Sequence, residues 1–241
     1  MDVGFWNING LGSKLESDSF TTVLKKYEIL CLTETWGTDS AMENLILPEG
    51  YMAFYHNRKN KHKKAKRNSG GILILYKKHM NKFIRIKNKE EENILWVEID
   101  KSYLSSEKNM VIGTVYISPI NSTINNININ SSYDETFVSL YNQLLSFSNK
   151  YDILLGGDFN ARTGNLSDFI ENINKEDDFL PSSVLFKNNI FSRPRVNQDK
   201  THNKFGLELR DICVAVRFIC PKWQDARRLL GKIYIYWEKR L

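Results

Sequence analysis

Apolar and polar positions along this chain separate strands from helices. "VGFWNI" (residues 3–8) predicts a short strand that runs into the turn "NGLGSK". In "SDSFTTVLKKY", Phe20, Val23, Leu24 and Tyr27 recur at helical spacing behind a Ser/Asp cap. "EILCLTETW" is almost continuously apolar up to Thr33, as a strand covered on both faces must be. "YMAFYH" and "GGILILYKK" predict paired strands, and "FIRIK", "ILWVEID" and "NMVIGTVYIS" continue a strand-rich first half. "PINSTINNININSS" (119–132) is Asn-rich and of low complexity, which suits a solvated loop.

In "YDETFVSLYNQLLSF", Phe137, Leu140, Tyr141, Leu144 and Leu145 share one helical face, with Asp134 and Glu135 in the first turn, where the helix dipole favours acids. The apolar strand "YDILLGG" follows. After a polar stretch, "NKFGLELRDICVAV" places Phe205, Leu209, Ile212, Cys213 and Val216 at helical spacing. The last stretch, 217–241, has no clean register of either kind. Strand, helix and strand in this order predict an α/β fold with helices on the faces of layered sheets.

Composition narrows the class. With 241 residues, 41% hydrophobic and 12% aromatic, the chain can bury the core of one large domain. A net charge of +6 favours an anionic partner. Cys31, Cys213 and Cys220 form no C-x-x-C pair, so free thiols and no disulfide framework are expected. No apolar run approaches the ~20 residues that cross a bilayer, and no leader pattern opens the chain, so a soluble intracellular protein, cytosolic or nuclear, is expected. A monomer is expected; no feature names a protein partner.

The candidate chemistry sits at predicted strand ends. "GGDFNARTG" places Asp158 and Asn160 after a strand, where α/β folds place ligands. Such an Asp can orient or deprotonate a water, and such an Asn can donate to a phosphoryl oxygen. The same pair can also simply close a Gly-rich turn. Glu34 ends "EILCLTE", and Asn7 lies within the aromatic strand "FWNI"; if they meet, they can hold one hard cation through oxygen. Tyr116, in "TVYISP", ends another strand. In the loop 58–67, Arg58, Lys59, Lys61, Lys63, Lys64, Lys66 and Arg67 are candidates for DNA phosphate contact, with a nuclear localisation signal and a solvated loop as alternatives. Its lack of interleaved aromatics predicts non-specific, salt-sensitive binding.

Together "WNINGL", "LTETW", "SGGILILYKK", "TVYISP" and "LLGGDFNARTG" resemble the endonuclease/exonuclease/phosphatase superfamily, and within it the apurinic/apyrimidinic-like endonuclease domain of LINE (non-LTR) retrotransposons. The resemblance covers residues 1 to about 216. It implies a four-layered α/β sandwich of the DNase I-like type and a Mg²⁺- or Mn²⁺-dependent cut of a DNA phosphodiester. It implies that Glu34 and Asn7 hold the metal, that Tyr116 contacts the scissile phosphate and that Asp158 positions the attacking water. Asn160 then holds the phosphate and the family's histidine. Thr35, Ser118, Arg162 and Asn203 lie near these motifs and are given no role.

The resemblance stops short at the end of the chain. The family's further Asp strand and closing "S-D-H" element have no counterpart, and none of His56, His62, His79 and His202 follows an Asp. Residues 217–241 are expected to be an atypical tail such as a frameshift produces, leaving the fold incomplete, without the strands that pair with "YDILL". Negligible nuclease activity is therefore expected. Two other readings stand beside a metal-dependent endonuclease: a non-catalytic nucleic-acid-binding remnant, and a phosphodiesterase or phosphatase of the superfamily acting on a non-nucleic substrate such as a phosphoinositide or sphingomyelin.

Overall fold

Apolar runs with no polar face need cover on both sides, and the chain provides it by stacking two sheets between two layers of helices. The structure, a computed structural model, describes residues 1–58, 69–119, 132–166, 200–216 and 234–237. The basic residues Lys59 to Arg67, the Asn-rich segment 120–131, the polar stretch 167–199 and most of the tail lie outside the described residues.

The first sheet contains β1 (Val3–Asn7), β2 (Ile29–Thr33), β3 (Tyr51–His56) and β4 (Ile72–Lys77), in the order β1-β2-β4-β3. β1 and β2 are parallel, with Asn7 beside Thr33, and the other pairs are antiparallel. The second sheet runs β5 (Ile84–Asn88), β6 (Ile94–Ile99), β7 (Met110–Tyr116), β8 (Asp152–Asp158) and β9 (Tyr234–Trp237). Here β7 and β8 are parallel, with Tyr116 beside Asp158.

Parallel neighbours need crossovers, and helices supply them. Between β1 and β2 lies α1 (Asp18–Leu24), capped by Ser17, whose hydroxyl accepts from the Phe20 N–H. The short α2 (Asp39–Glu43) follows β2, and α3 (Lys101–Leu104) leads into β7. Between β7 and β8 lies α4 (Ser132–Phe147), and α5 (Lys204–Ala215) packs beside it.

Three apolar interfaces match four layers. Leu15, Phe20 and Leu24 pack on Leu30, Leu32, Leu73 and Leu75, on the outside of the first sheet. Ile29, Cys31, Ile72 and Ile74 meet Leu95, Val97, Ile99 and Ile112 between the sheets. Phe137, Leu140, Leu144, Phe205 and Leu209 cover Trp96, Val111, Val115, Ile153 and Leu155 on the outside of the second. The period-two alternation along β2 and β4 therefore feeds two cores at once. The α/β sandwich expected from the sequence is the fold observed.

Two expectations differ from the structure. Leu145, placed on the buried face of α4, is 46% exposed, because the apolar stripe is filled by Phe137, Leu140 and Leu144. Residues 234–237, in the stretch that shows no register, pair in parallel with β8, so a fifth strand stands where uncovered backbone was expected.

Candidate metal and phosphate site

Parallel pairing brings four strand ends to one edge of the sandwich. In the first sheet, Asn7 ends β1 and Glu34 lies one residue beyond the end of β2. In the second, Tyr116 ends β7 directly beside Asp158, the end of β8. All four are nearly enclosed, with exposures of 8% for Asn7, 5% for Glu34, 6% for Tyr116 and 9% for Asp158.

Two hydrogen bonds stitch the sheets together there. Asn7 Nδ2 donates to Asp158 Oδ2 at 2.6 Å, and the Tyr116 hydroxyl donates to Glu34 Oε1 at 2.8 Å. Two carboxylates, one from each sheet, thus share a water-poor edge with a carboxamide and a phenol between them. Burial, followed by the Glu34 charge and hydrogen bond and by Asp158, pushes the Tyr116 phenol well above its ordinary value, partly offset by Arg58. The phenol remains a donor at neutral pH.

The loops that carry these groups are held in uncommon conformations. Glu34 and Asn160 both have left-handed backbones, at φ 56° and 46°. Such non-glycine residues cluster at functional sites when their surroundings over-determine them. Around Glu34, its carbonyl accepts from Gly10 N at 2.7 Å, and Trp36 N donates to Gly70 O at 2.9 Å. A side chain at Gly71 would reach the Thr35 hydroxyl, which explains one glycine of "SGGILI". Asn160 N donates to Asp158 Oδ1 at 3.0 Å, and Asn160 Nδ2 donates to Ile117 O at 2.7 Å. One Nδ2 hydrogen of Asn160 is thereby used to tie β8's loop to β7, and the second is the one available to a ligand.

Asn203 fixes this loop from a distance of 43 residues along the chain. It caps α5 by accepting from Gly206 N at 2.8 Å, and it also accepts from Arg162 N at 2.9 Å. Its Nδ2 donates to Asn160 O at 2.9 Å. The sequence analysis gives Asn203 no role, and the structure gives it two, the cap of α5 and the clamp on the Asp158–Asn160 loop. Arg58 departs from the basic loop with which it was grouped. Its guanidinium is turned inward, donating to Asn93 Oδ1 at 2.7 Å and to Ser118 Oγ at 3.3 Å. Lys59, Lys61, Lys63, Lys64, Lys66 and Arg67 lie outside the described residues.

His56 Nε2 contacts Glu91 O, His79 Nε2 contacts the Tyr103 hydroxyl, and His202 is exposed, with its backbone paired to Thr163. Among the described residues no group of three or more His, Cys, Asp or Glu gathers to form a closed metal cage. The donor set at the strand ends is all oxygen: one carboxylate and one carboxamide on the first sheet, with a second carboxylate opposite. That set fits a hard divalent cation held by one or two carboxylates, with water or phosphate completing its shell.

Acids, amides and a phenol thus converge at the parallel strand ends of an α/β sandwich. The chain belongs to the endonuclease/exonuclease/phosphatase family, whose pattern matches residues 4–203. Among solved structures it is similar to the catalytic domain of Xenopus laevis APE2 (13% identity, TM-score 0.48, covering 72% of this chain and 62% of that one). It is also similar to the 3′-5′ exonuclease NExo of Neisseria meningitidis (14%, 0.43, 68% and 59%) and to an AP endonuclease of Archaeoglobus fulgidus (15%, 0.39, 66% and 56%). The chain spans about six tenths of the length of these structures. No curated protein matches it in sequence.

Proposed function

We propose that this chain is a divalent-metal-dependent phosphodiester hydrolase domain acting on DNA, of the apurinic/apyrimidinic-like type found in non-LTR retrotransposons. The observation that carries the reading is the convergence of Asn7, Glu34, Tyr116 and Asp158 from both sheets, cross-linked by two short hydrogen bonds. Glu34 and Asn7 would hold Mg²⁺ or Mn²⁺. When bound, the ion offsets the negative charge of a phosphodiester and polarises its oxygen.

The rest of the work falls to side chains. Asp158 receives Asn7 Nδ2 on one oxygen and Asn160 N on the other, which fixes the carboxylate that would orient and deprotonate a water. The Tyr116 hydroxyl, kept protonated, has one hydrogen, which would turn from Glu34 Oε1 to a phosphate oxygen when substrate binds, and the remaining Asn160 Nδ2 hydrogen is a second donor. The net charge of +6 favours a polyanion over a neutral lipid headgroup. Because His56 and His79 contact other groups and His202 is exposed, we propose that turnover is low and that metal and DNA binding persist.

The test combines DNA binding in Ca²⁺ with nicking of supercoiled plasmid in Mg²⁺ and in EDTA, for the wild type and for folded Asp158→Ala and Glu34→Gln variants. The expected result is Ca²⁺-dependent binding that Glu34→Gln weakens, with nicking near background. Wild-type-specific, Mg²⁺-dependent nicking would overturn the low-turnover proposal, and binding indifferent to Ca²⁺ and to Glu34 would overturn the site.

A further inference from the structure

We infer that the Tyr116 hydroxyl is a latch that couples the two ligands of the site: Glu34 holds it while no cation is bound, and it passes to a substrate phosphate once Glu34 carries one. The inference rests on the proposed hydrolase reading and concerns how that same site is regulated.

A phenol has one hydrogen, and the Tyr116 hydrogen is already placed. It goes to Glu34 Oε1 at 2.8 Å, between residues that are 6% and 5% exposed. A bond to a charged acceptor, shielded from water, is stronger than a neutral one. Both partners are also fixed by their backbones. Tyr116 N donates to Asn93 O at 2.9 Å, Tyr116 stands in register with Asp158, and its ring lies against the buried Gly70. Glu34 is held in its left-handed conformation by the bond from Gly10 N to its carbonyl. The direction of the O–H bond is therefore what changes most easily at this contact.

The amide donors of the site face no such choice. Asn7 Nδ2 carries two hydrogens and needs one for Asp158 Oδ2. Asn160 Nδ2 likewise spends one of two on Ile117 O. Of these three donors, the Tyr116 hydroxyl is the one that must leave a protein acceptor before it serves a phosphate.

The cost of that exchange depends on the charge of Glu34. A bare carboxylate and a phosphate compete for the same hydrogen, and the carboxylate is already in place. With a divalent cation on Glu34 the carboxylate charge is offset, and the phosphate becomes the stronger acceptor. Phosphate affinity then rises with cation occupancy, and by linkage cation affinity rises with phosphate occupancy by the same factor. The difference between a charged and a neutral acceptor sets the contribution of the latch at roughly tenfold. Direct attraction between cation and phosphate adds to it, so the latch is isolated by working without a cation.

The experiment is a double-mutant cycle in EDTA. Binding of a fluorescein-labelled DNA duplex at low salt is followed by anisotropy for the wild type, Tyr116→Phe, Glu34→Gln and the double variant, with circular dichroism reporting the fold. With Glu34 intact, Tyr116→Phe is expected to change affinity by no more than about twofold, because the hydroxyl is engaged elsewhere. In the Glu34→Gln background, whose position 34 is neutral as a cation would make it, Tyr116→Phe is expected to weaken binding roughly tenfold. In Ca²⁺ the same substitution should weaken binding to otherwise wild-type protein roughly tenfold. Without DNA, Tyr116→Phe should bind Mn²⁺ at least as tightly as the wild type. Should Tyr116→Phe not fold, exchange of the phenolic proton in the wild type carries the test: protection in EDTA that Ca²⁺ and DNA together abolish supports the latch, and unchanged protection overturns it. An equal cost of Tyr116→Phe in both backgrounds, or weaker Mn²⁺ binding by folded Tyr116→Phe, overturns the latch alone when DNA binding still depends on Ca²⁺ and Glu34. DNA binding indifferent to both overturns the hydrolase reading and the latch with it.

Discussion

Gly156 on β8 packs against the Phe5 ring of β1 where the two sheets meet, and Gly156→Ala tests whether the site depends on that contact. Phe5 on β1 lies two residues before Asn7, and Gly156 on β8 lies two residues before Asp158. A Cβ at Gly156 would stand 2.6 Å from three carbons of the buried Phe5 ring, against ~3.5–4.0 Å for carbons in contact. The overlap of about 1 Å must be relieved by the ring or by the sheets. Overpacking of this kind costs ~1–3 kcal/mol, or roughly 2–12 °C in melting temperature for a chain of this size. If the sheets part, the 2.6 Å bond from Asn7 to Asp158 lengthens beyond hydrogen-bonding range. Loss of an orienting partner then lowers metal affinity by about 10- to 100-fold. Thermal melting and Mn²⁺ titration of Gly156→Ala, Phe5→Leu and the double variant measure both effects. The double variant is expected to be more stable than the two single losses would sum to, because the smaller side chain makes room for the methyl. A Gly156→Ala protein with unchanged melting and unchanged Mn²⁺ affinity refutes the reasoning.

Three further outcomes are expected. Asn203→Ala should lose about 1–2 kcal/mol in urea unfolding, from the cap of α5 and the clamp on the 158–160 loop; Asn203→Asp, which keeps the accepting oxygen of the cap but not the donating nitrogen of the clamp, should lose less, and equal losses would contradict the cap. Cys31 lies between the sheets and burial pushes its thiol up to about 12, against a small opposing hydrogen bond with Thr114. Native protein should therefore resist iodoacetamide at this position near neutral pH, as peptide mass spectrometry would show, and rapid native labelling would contradict its enclosure. Burial raises the Glu28 carboxyl, yet hydrogen bonds from Tyr103 and the Asp2 backbone, with the N-terminal charge, outweigh it and leave it below its ordinary value. Its contribution is present above the unfolded carboxylate pKa and is lost as pH falls through the folded one, so Glu28→Gln should flatten the acid limb of stability against pH. Urea midpoints with the same acid slope in both proteins would exclude that role.

Much of this fold can be read from local pattern. The unbroken apolar run of β2 requires cover on both faces, and the structure supplies it through Ile29 and Cys31 on one side and Leu30 and Leu32 on the other. Asn7, Glu34, Tyr116 and Asp158 are legible as polar residues at strand ends, where burial of the strand makes each one conspicuous. Their pairing is not legible, because parallel register and sheet stacking decide which ends meet. Arg58 shows the limit most clearly. Within a run of lysines its charge looks like one of many, and only the meeting of β3, β6 and β7 sets it against Asn93 and Ser118. Asn203 acts on Asn160 across a long sequence separation that no local period encodes. Tyr234–Trp237 escapes pattern reading because four residues are too few to show a period, and its place is set by the edge of β8.

The central claim is that the strand-end cluster holds a divalent cation through Glu34 and Asn7. The most direct test is titration of the folded chain with Mn²⁺, followed by electron spin resonance of the free ion, for the wild type, Glu34→Gln and Asn7→Ala. One bound ion per chain, weakened at least about tenfold by either substitution and displaced by Mg²⁺, is the predicted result. Folded protein that binds no Mn²⁺, or binds it equally well in all three forms, would contradict the account.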